Sequence, residues 1–287
     1  MATTNQTIAY QGLPGAYSHL ACLNAYPDKQ PLACPSFLDA MTKVQKNQAC
    51  LAMIPLENST AGRVEEIYRQ MPEMALHIAG EHFEQIHHCL LGLKQSDLAH
   101  IRYVGSHPQA LAQCQEHVQQ RQLTPVAKFD TAGAAAELAE QQDIQTGVIA
   151  SGLAAQIYDL KILAKNCQDQ PGNTTRFLVL SAEQKIPELD TSRHYLTSLM
   201  FCTRNIPAAL YKALGGFATN GINLIKLESY TAQDTLKVSQ FHVDVAAHVQ
   251  LKSMQLALKE LAFFADNIRI MGCYAAHEFR FRSCIIE

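Results

Sequence analysis

Four short polar stretches carry the side chains best suited to chemistry on a small anion: QGLPGAYSH (residues 11–19), LENSTAG (56–62), GSHPQALAQ (105–113) and GNTTRFLVL (172–180). Each supplies hydroxyls, amides or turn-forming glycines directly beside an apolar run. Gly12 and Gly15 permit a tight turn and Ser18 can cap a helix, while Glu57, Asn58, Ser59 and Thr60 follow one another without a break. Ser106 lies near a helix start, Pro108 fits a first turn, and Gln109 and Gln113 are four apart on one helical face. Each stretch alone also has a plain structural use, because Ser and Asn cap helices and Gly makes turns. Taken together, hydroxyls, amides and free helix N-termini make a receptor for small carboxylates, and Arg176 adds a planar donor fork of the same preference. A Walker loop, a GxGxxG fingerprint, a metal-ligand spacing and a serine elbow are all missing from these stretches. The chemistry implied is that of a small anionic metabolite handled without metal or organic cofactor.

Such residues have to be positioned by a framework. In the first 180 residues, apolar runs at 7–10, 50–55, 101–104, 147–150 and 177–180 alternate with helical patterns at 18–26, 37–46, 108–119, 131–141 and 152–158. That rhythm predicts parallel α/β layers, with ligands bound where strands hand over to helices. Two stretches of it, 7–71 and 101–160, suggest two lobes, with 77–93 and 160–173 as crossovers. Residues 181–192 are polar, aperiodic and contain Pro187, and read as a linker. Beyond them the order becomes strand 195–203, helix 207–219, strands 222–230 and 236–245, helix 251–264 and strand 268–274. This βαββαβ order is the ferredoxin-like arrangement, with Pro207 as first helical residue and Gly221 ending that helix.

The bulk properties narrow the function classes. The chain has 287 residues, 48% of them apolar and 17% charged, with a formal net charge of −3. Nothing basic enough for nucleic acid or a membrane surface is present, nor an apolar run long enough to span a bilayer. The first residues lack the pattern of a secretory signal, so a cytoplasmic protein is expected. The nine cysteines, scattered from Cys22 to Cys284 without a CxxC pair, are expected to be reduced thiols. His82, His87 and His88 cluster without matching cysteine or carboxylate spacing, and are read as structural or surface residues rather than as metal ligands.

GLPGAYSHLA, PLENSTAGRV, GSHPQALAQC and GNTTRFLVL, in this order and spacing, resemble the signature segments of the prephenate dehydratase family. The following TSLMF, NIPAAL and GINLIKLES resemble the amino-acid-sensing ACT domain carried by that family, so the likeness runs from about Thr7 to Tyr274. The resemblance implies a bilobal α/β catalytic domain akin to type II periplasmic binding proteins over residues 1–183, with the site in the cleft between lobes. A linker and a βαββαβ ACT domain would occupy residues 184–287. The implied reaction is loss of carbon dioxide and the ring hydroxyl from prephenate, giving phenylpyruvate for phenylalanine biosynthesis, by a monofunctional lyase without cofactor.

By the same resemblance Thr175 is the catalytic residue, an oriented donor to the leaving oxygen. Asn58, Ser59, Ser106, Gln109, Gln113, Asn173, Arg176 and Phe177 are implied to bind substrate, Arg176 either meeting a carboxylate or pairing structurally, and Phe177 either supporting the ring or simply packing. Glu57 either holds its loop or assists proton transfer, and His107 is left outside the catalytic set as a capping residue. Phenylalanine is the implied effector, at an ACT site of Ala208, Ala209, Leu210, Asn223, Leu224, Glu228 and Ser229, within a homodimer or homotetramer. Two departures stand out: Ala208 replaces the family's glycine, and Tyr230-Thr231 follow Glu228-Ser229 where the family has Arg-Pro. Altered phenylalanine inhibition is therefore expected. Arogenate in place of prephenate, and a non-catalytic bilobal receptor, remain open alternatives on the residues alone.

Overall fold

The computed structural model describes residues 6–231 and 238–281. Elements run in the order β1 (Thr7–Gln11), α1 (Tyr17–Ala25), β2 (Gln30–Cys34), α2 (Phe37–Gln45), β3 (Leu51–Asn58), β4 (Gly62–Arg63), α3 (Glu65–Gln70), β5 (His77–Gln85), β6 (Cys89–Gly92), β7 (Tyr103–Ser106) and α4 (Pro108–Gln113). There follow α5 (Gln115–Gln120), β8 (Thr124–Ala127), α6 (Thr131–Gln141), β9 (Thr146–Ala150), α7 (Gly152–Ile157), β10 (Lys161–Ala164) and β11 (Thr174–Ser181). The last part is β12 (Tyr195–Thr203), α8 (Ala209–Thr219), β13 (Leu224–Thr231), β14 (Val238–Val245), α9 (Lys252–Phe264) and β15 (Ala265–Ala275). Leu236 and Lys237 of the expected strand 236–245, and Cys284, lie outside the described residues.

Two compact units result. One comprises the described residues through Ile67 together with His82–Phe177; the other comprises Tyr68–Glu81 and the described residues from Leu178 onward. In the first unit, local sequence explains the helices directly. Ser36 accepts from the Asp39 N–H to start α2, whose Ala40, Met41 and Val44 form the buried stripe. Asp130 and Ser151 cap α6 and α7 in the same way.

Two sheets carry these helices. The first has the order β2-β1-β3-β11-β5, with β4 paired to β3. The second has the order β10-β6-β9-β7-β8 and is covered on both faces. Leu91, Val148 and Ala150 pack with Ala134, Ala135, Leu138 and Ala154 on one side. Leu90, Val104 and Ile149 pack with Ala110, Cys114 and Val118 on the other. Successive residues of one strand thus serve two cores, as the strand period of two requires.

The sheets depart from the expected parallel layering, for they are mixed. β1 pairs parallel with β2 and β3, and β7 with β8 and β9, but β6 runs antiparallel to both β9 and β10. The expected crossovers at 77–93 and 160–173 contain strands β5, β6 and β10. Polarity hid β5, which buries Glu81 and Glu84, with Glu84 satisfied by Asn24; β6 and β10 are four residues each and too short to show a strand period. β2 and β8 also escape sequence reading, being edge strands with exposed, proline-bearing sequences. The expected helix 108–119 is two short helices that meet at Cys114.

In the second unit the β12-α8-β13-β14-α9-β15 succession is the expected βαββαβ order, in an antiparallel sheet ordered β13-β14-β12-β15. Both helices pack on one face. Leu199, Phe201, Val243 and Val245 of the sheet meet Ala213, Phe217, Met254 and Leu261 of the helices, all buried. α8 and α9 approach so closely at Gly216 that a Cβ there would meet the Glu260 Cβ at 2.8 Å. Residues 68–81 belong to this unit for a physical reason. Arg269 of β15 donates to the carbonyls of Met71, Pro72 and Met74, Arg280 forks onto Glu81, and Gly272 lies against the Ile78 carbonyl. The expected division at 183/184 thus differs from the compact units, which part at Phe177/Leu178 and exchange residues 68–81.

Pro207 does not begin α8 as expected. Ala208 stands between them as N-cap in the left-handed conformation, φ 57°, while Gly221, φ 67°, follows the helix end as its sequence position suggested.

Candidate active site

A cavity of about 720 Å³ in the first unit gathers side chains from all four polar stretches. Gln11, Tyr17 and Ser18 come from the β1–α1 junction, Asn58 and Thr60 from the end of β3 and the turn after it, His107 and Gln109 from the start of α4 and Gln113 from its last position. Asn173, Thr175 and Phe177 come from β11 and the residue before it, and Asp130 and Thr131 from the start of α6. The strand-to-helix junctions thus converge, as they do in open α/β sheets generally.

β11 starts at Thr174, so the polar NTTR stretch is mostly strand rather than loop. Strand alternation then divides its side chains between two faces. Thr175 and Phe177 line the cavity; Thr174 and Arg176 do not. The same division occurs on β3, where Asn58 lines the cavity and Glu57 does not. The two off-cavity residues pair, Arg176 Nη1 donating to Glu57 Oε1 at 3.1 Å, with the Arg176 side chain only 3% exposed. Of the two uses expected of Arg176, a substrate carboxylate or a structural pair, the structure shows the pair, with Glu57. The arginine on the cavity wall is Arg63 of β4, its side chain 48% exposed and paired with Glu65.

Two other expected ligand-binding residues also face away. Ser59 clips β3 to β11, its Oγ accepting from the Thr174 N–H while its own N–H donates to the Thr174 carbonyl. Ser106 is fully buried and donates to the Ile149 carbonyl. Asn58, Gln109, Gln113, Asn173, Thr175 and Phe177 do come together on the wall. His107 joins them, and it also caps α4, its Nδ1 accepting from the Gln109 N–H.

The polar wall is a continuous network. Asn58 Oδ1 accepts from the backbone N–H groups of Thr60 and Ala61 at 3.0 and 2.9 Å. That fixes the amide, so Asn58 Nδ2 donates, at 2.9 Å to Thr175 Oγ1 and at 2.7 Å to Asn173 Oδ1. Since Thr175 Oγ1 is an acceptor there, its own proton is left to be directed elsewhere. Asn173 Nδ2 donates to Gln113 Oε1 at 3.1 Å, and Gln113 Nε2 donates to Thr60 Oγ1 at 2.9 Å.

His88 and Tyr17 close the network: His88 Nε2 lies 2.9 Å from Gln113 Oε1, and Tyr17 Oη lies 2.8 Å from His88 Nδ1. Burial holds His88 below the ordinary imidazole range and drives the Tyr17 phenol well above its own, so both are neutral near pH 7. Tyr17, Thr60, Arg63 and His88 were not singled out from the sequence for this site. The glycine turn and the ENST run hinted at Tyr17 and Thr60, but nothing local marks His88.

Among the described residues, no group of three or more His, Cys, Asp or Glu side chains stands ready to hold a metal, and the eight described cysteines are unpaired. No described helix is long and apolar enough to cross a membrane.

The expected effector residues lie in the second unit. Ala208 is the N-cap and Ala209 the first residue of α8, Leu210 and Leu224 each pack against the core of this unit, and the Asn223 carbonyl accepts from the Ala246 N–H. Glu228 sits 3.4 Å from Lys226, and Ser229 lies on the edge strand opposite Phe241.

Comparison with known proteins agrees with this geometry. The sequence profile of the prephenate dehydratase family matches residues 8–185. A Komagataeibacter europaeus protein described as a bifunctional N-acyl-homoserine lactone acylase/prephenate dehydratase is 43% identical, over 95% of this chain and 97% of that one. An Arabidopsis thaliana chloroplastic arogenate dehydratase/prephenate dehydratase is 38% identical, over 93% of this chain and 71% of its own. The crystal structure of an Arthrobacter aurescens prephenate dehydratase in complex with L-Phe superposes with a TM-score of 0.84 at 26% identity, covering 94% of this chain and 90% of that one. The chain belongs to the prephenate dehydratase family.

Proposed function

We propose that the cavity performs the decarboxylating dehydration of prephenate to phenylpyruvate, with Thr175 as donor to the leaving hydroxyl. As the bond to the ring carboxylate breaks, carbon dioxide departs and its electron pair aromatises the ring. The carbon–oxygen bond on the far side of the ring then breaks, and the departing hydroxide takes one proton to become water. Negative charge therefore grows on that oxygen in the transition state, where a preorganised donor is most effective. The carrying observation is that Asn58 donates to Thr175 Oγ1, leaving the Thr175 proton to be aimed at substrate. A threonine hydroxyl is a weak acid, so Thr175 orients and stabilises while solvent delivers the proton.

The two carboxylates are held by the N-termini of α1 and α6, by Gln109, and by Arg63, which takes the part first expected of Arg176. Phe177 and Ile86 supply an apolar wall for the ring. Asn58, Gln113 and Asn173 orient substrate and Thr175 together. Parallel kinetics on prephenate and arogenate test the assignment: phenylpyruvate formation from prephenate at enzymatic rates is expected. Turnover of arogenate alone would move the chain to the amino-acid substrate, and turnover of neither would leave a binding protein.

A second reading, cleavage of N-acyl-homoserine lactones, is favoured by the 43% identity to the relative described as bifunctional, and by the apolar strip of Pro55, Val64, Ile86 and Phe177 in the cavity. Release of the free fatty acid from such a lactone is the measurement that decides it.

The second unit is proposed to be an ACT domain that senses phenylalanine in a homodimer or homotetramer. Its βαββαβ order and the relative solved with L-Phe support this. A reducing compartment such as the cytoplasm suits the unpaired thiols.

A further inference from the structure

The network that ends at Thr175 begins at a titratable group. His88 is 2% exposed and lies in the short link between β5 and β6, at the far end of the amide row from Asn58. Its tautomer follows from accounting for every donor and acceptor along the chain. Backbone N–H groups fix Asn58 with Oδ1 as acceptor, so Asn58 Nδ2 must donate to Asn173 Oδ1. That leaves Asn173 Nδ2 to donate to Gln113, whose Oε1 must therefore face both Asn173 and His88. An oxygen at 2.9 Å requires a proton on His88 Nε2. Nδ1 is then an acceptor, and the single Tyr17 hydroxyl proton is shared between it, at 2.8 Å, and the His87 carbonyl, at 3.0 Å.

The opposite tautomer would set two lone pairs against each other at Gln113. Turning the Gln113 amide to relieve this would bring two NH₂ groups together at Asn173. The backbone N–H groups of residues 60–61 thus fix one orientation of the row, and a His88 ring protonated on Nε2 is the one that matches it at the far end.

We propose that His88 is a positioning residue for Thr175: as a neutral imidazole protonated on Nε2, it locks the Gln113–Asn173–Asn58 amide wall that aims the threonine hydroxyl. The proposal rests on the reading of Thr175 as the donor to the leaving oxygen. It assigns His88 no contact with substrate and no proton transfer. Its function is to keep a row of amides, each able to flip, in one arrangement.

The test uses the full chain with His88→Leu and His88→Gln. Leucine removes the donor, and kcat for prephenate is expected to fall roughly 10- to 100-fold with KM little changed, the loss typical of an unsatisfied buried acceptor. Glutamine can present an N–H toward Gln113 Oε1 and is expected to recover most of that loss. In the wild type, ¹⁵N NMR of histidine-labelled protein, with His88 assigned by its disappearance in His88→Gln, should show a neutral ring protonated at Nε2. Near-normal kcat in His88→Leu, equal losses in both variants, or an Nδ1-protonated ring would each overturn the proposal. The tautomer needs no leucine variant, so it decides the matter even where that variant fails to fold. Failure of the underlying reading would appear separately, as near-normal turnover in Thr175→Val.

Discussion

Two arginines of the first unit, Arg63 and Arg176, illustrate how little a side chain's identity says about its task. Arg176 stands beside Thr175 in the sequence, yet strand alternation turns it to the other face and into a pair with Glu57. Arg63, far earlier in the chain, is the one on the cavity wall. Arg63→Ala should raise KM for prephenate with kcat nearly unchanged, the signature of lost uniform binding. Arg176→Ala should instead lower the unfolding free energy measured in urea, by on the order of 2 kcal/mol, because Glu57 loses its charged partner and the buried guanidinium leaves a void; a rise in KM larger than that of Arg63→Ala would reverse the two assignments. A second residue-scale expectation concerns pH. Burial lowers the pKa of His19, His88 and His117 in the folded chain. Unfolded histidines titrate near about 6.5, so below that value the unfolded chain takes up protons that the folded chain refuses. Stability is then complete above about pH 6.5 and falls as pH drops toward the depressed folded values. Thermal melts between pH 7.5 and 5 should show Tm declining, and His88→Gln should flatten the decline.

At the scale of elements, most helices and the βαββαβ succession were legible, because caps and apolar periodicity are local signals. Ser36, Asp130 and Ser151 all cap the helices their sequence announced. The illegible elements are strands whose polarity is answered by distant partners, such as β5, whose Glu84 is satisfied by Asn24, and edge strands such as β8, which needs no apolar side. The site divided along the same line. Asn58, Gln113, Asn173 and Thr175 sit in motifs that the sequence displays, whereas His88 is tied to them only by folding. α8 offers a test at this scale. Ala208 holds φ 57°, a conformation costing an L-residue roughly 1–2 kcal/mol that glycine adopts freely. Ala208→Gly should raise the stability of the second unit by about 1 kcal/mol, read from its denaturation midpoint. A lowered midpoint would mean that the alanine methyl packs to advantage.

For the whole molecule, the question is whether the second unit governs the first. Ala208 has a glycine-like backbone, and by the family resemblance Tyr230-Thr231 stand where Arg-Pro is expected, so the proposed sensing segment would lack one donor fork. Phenylalanine is therefore expected to inhibit weakly, and a titration of turnover against phenylalanine measures it; inhibition at micromolar concentrations would contradict this. Any such coupling needs two global states that bind phenylalanine differently. Analytical ultracentrifugation with and without phenylalanine should find a dimer or tetramer, and a monomer in both conditions would remove the proposed sensing arrangement.

The central claim is that a single oriented hydroxyl, held by Asn58, stabilises the departing oxygen. Steady-state turnover of prephenate by Thr175→Val and Thr175→Ser measures it most directly. Valine keeps the shape and removes the donor, so kcat should fall roughly 10²- to 10³-fold, while serine should retain much of the activity. Near-normal turnover by Thr175→Val would contradict the account.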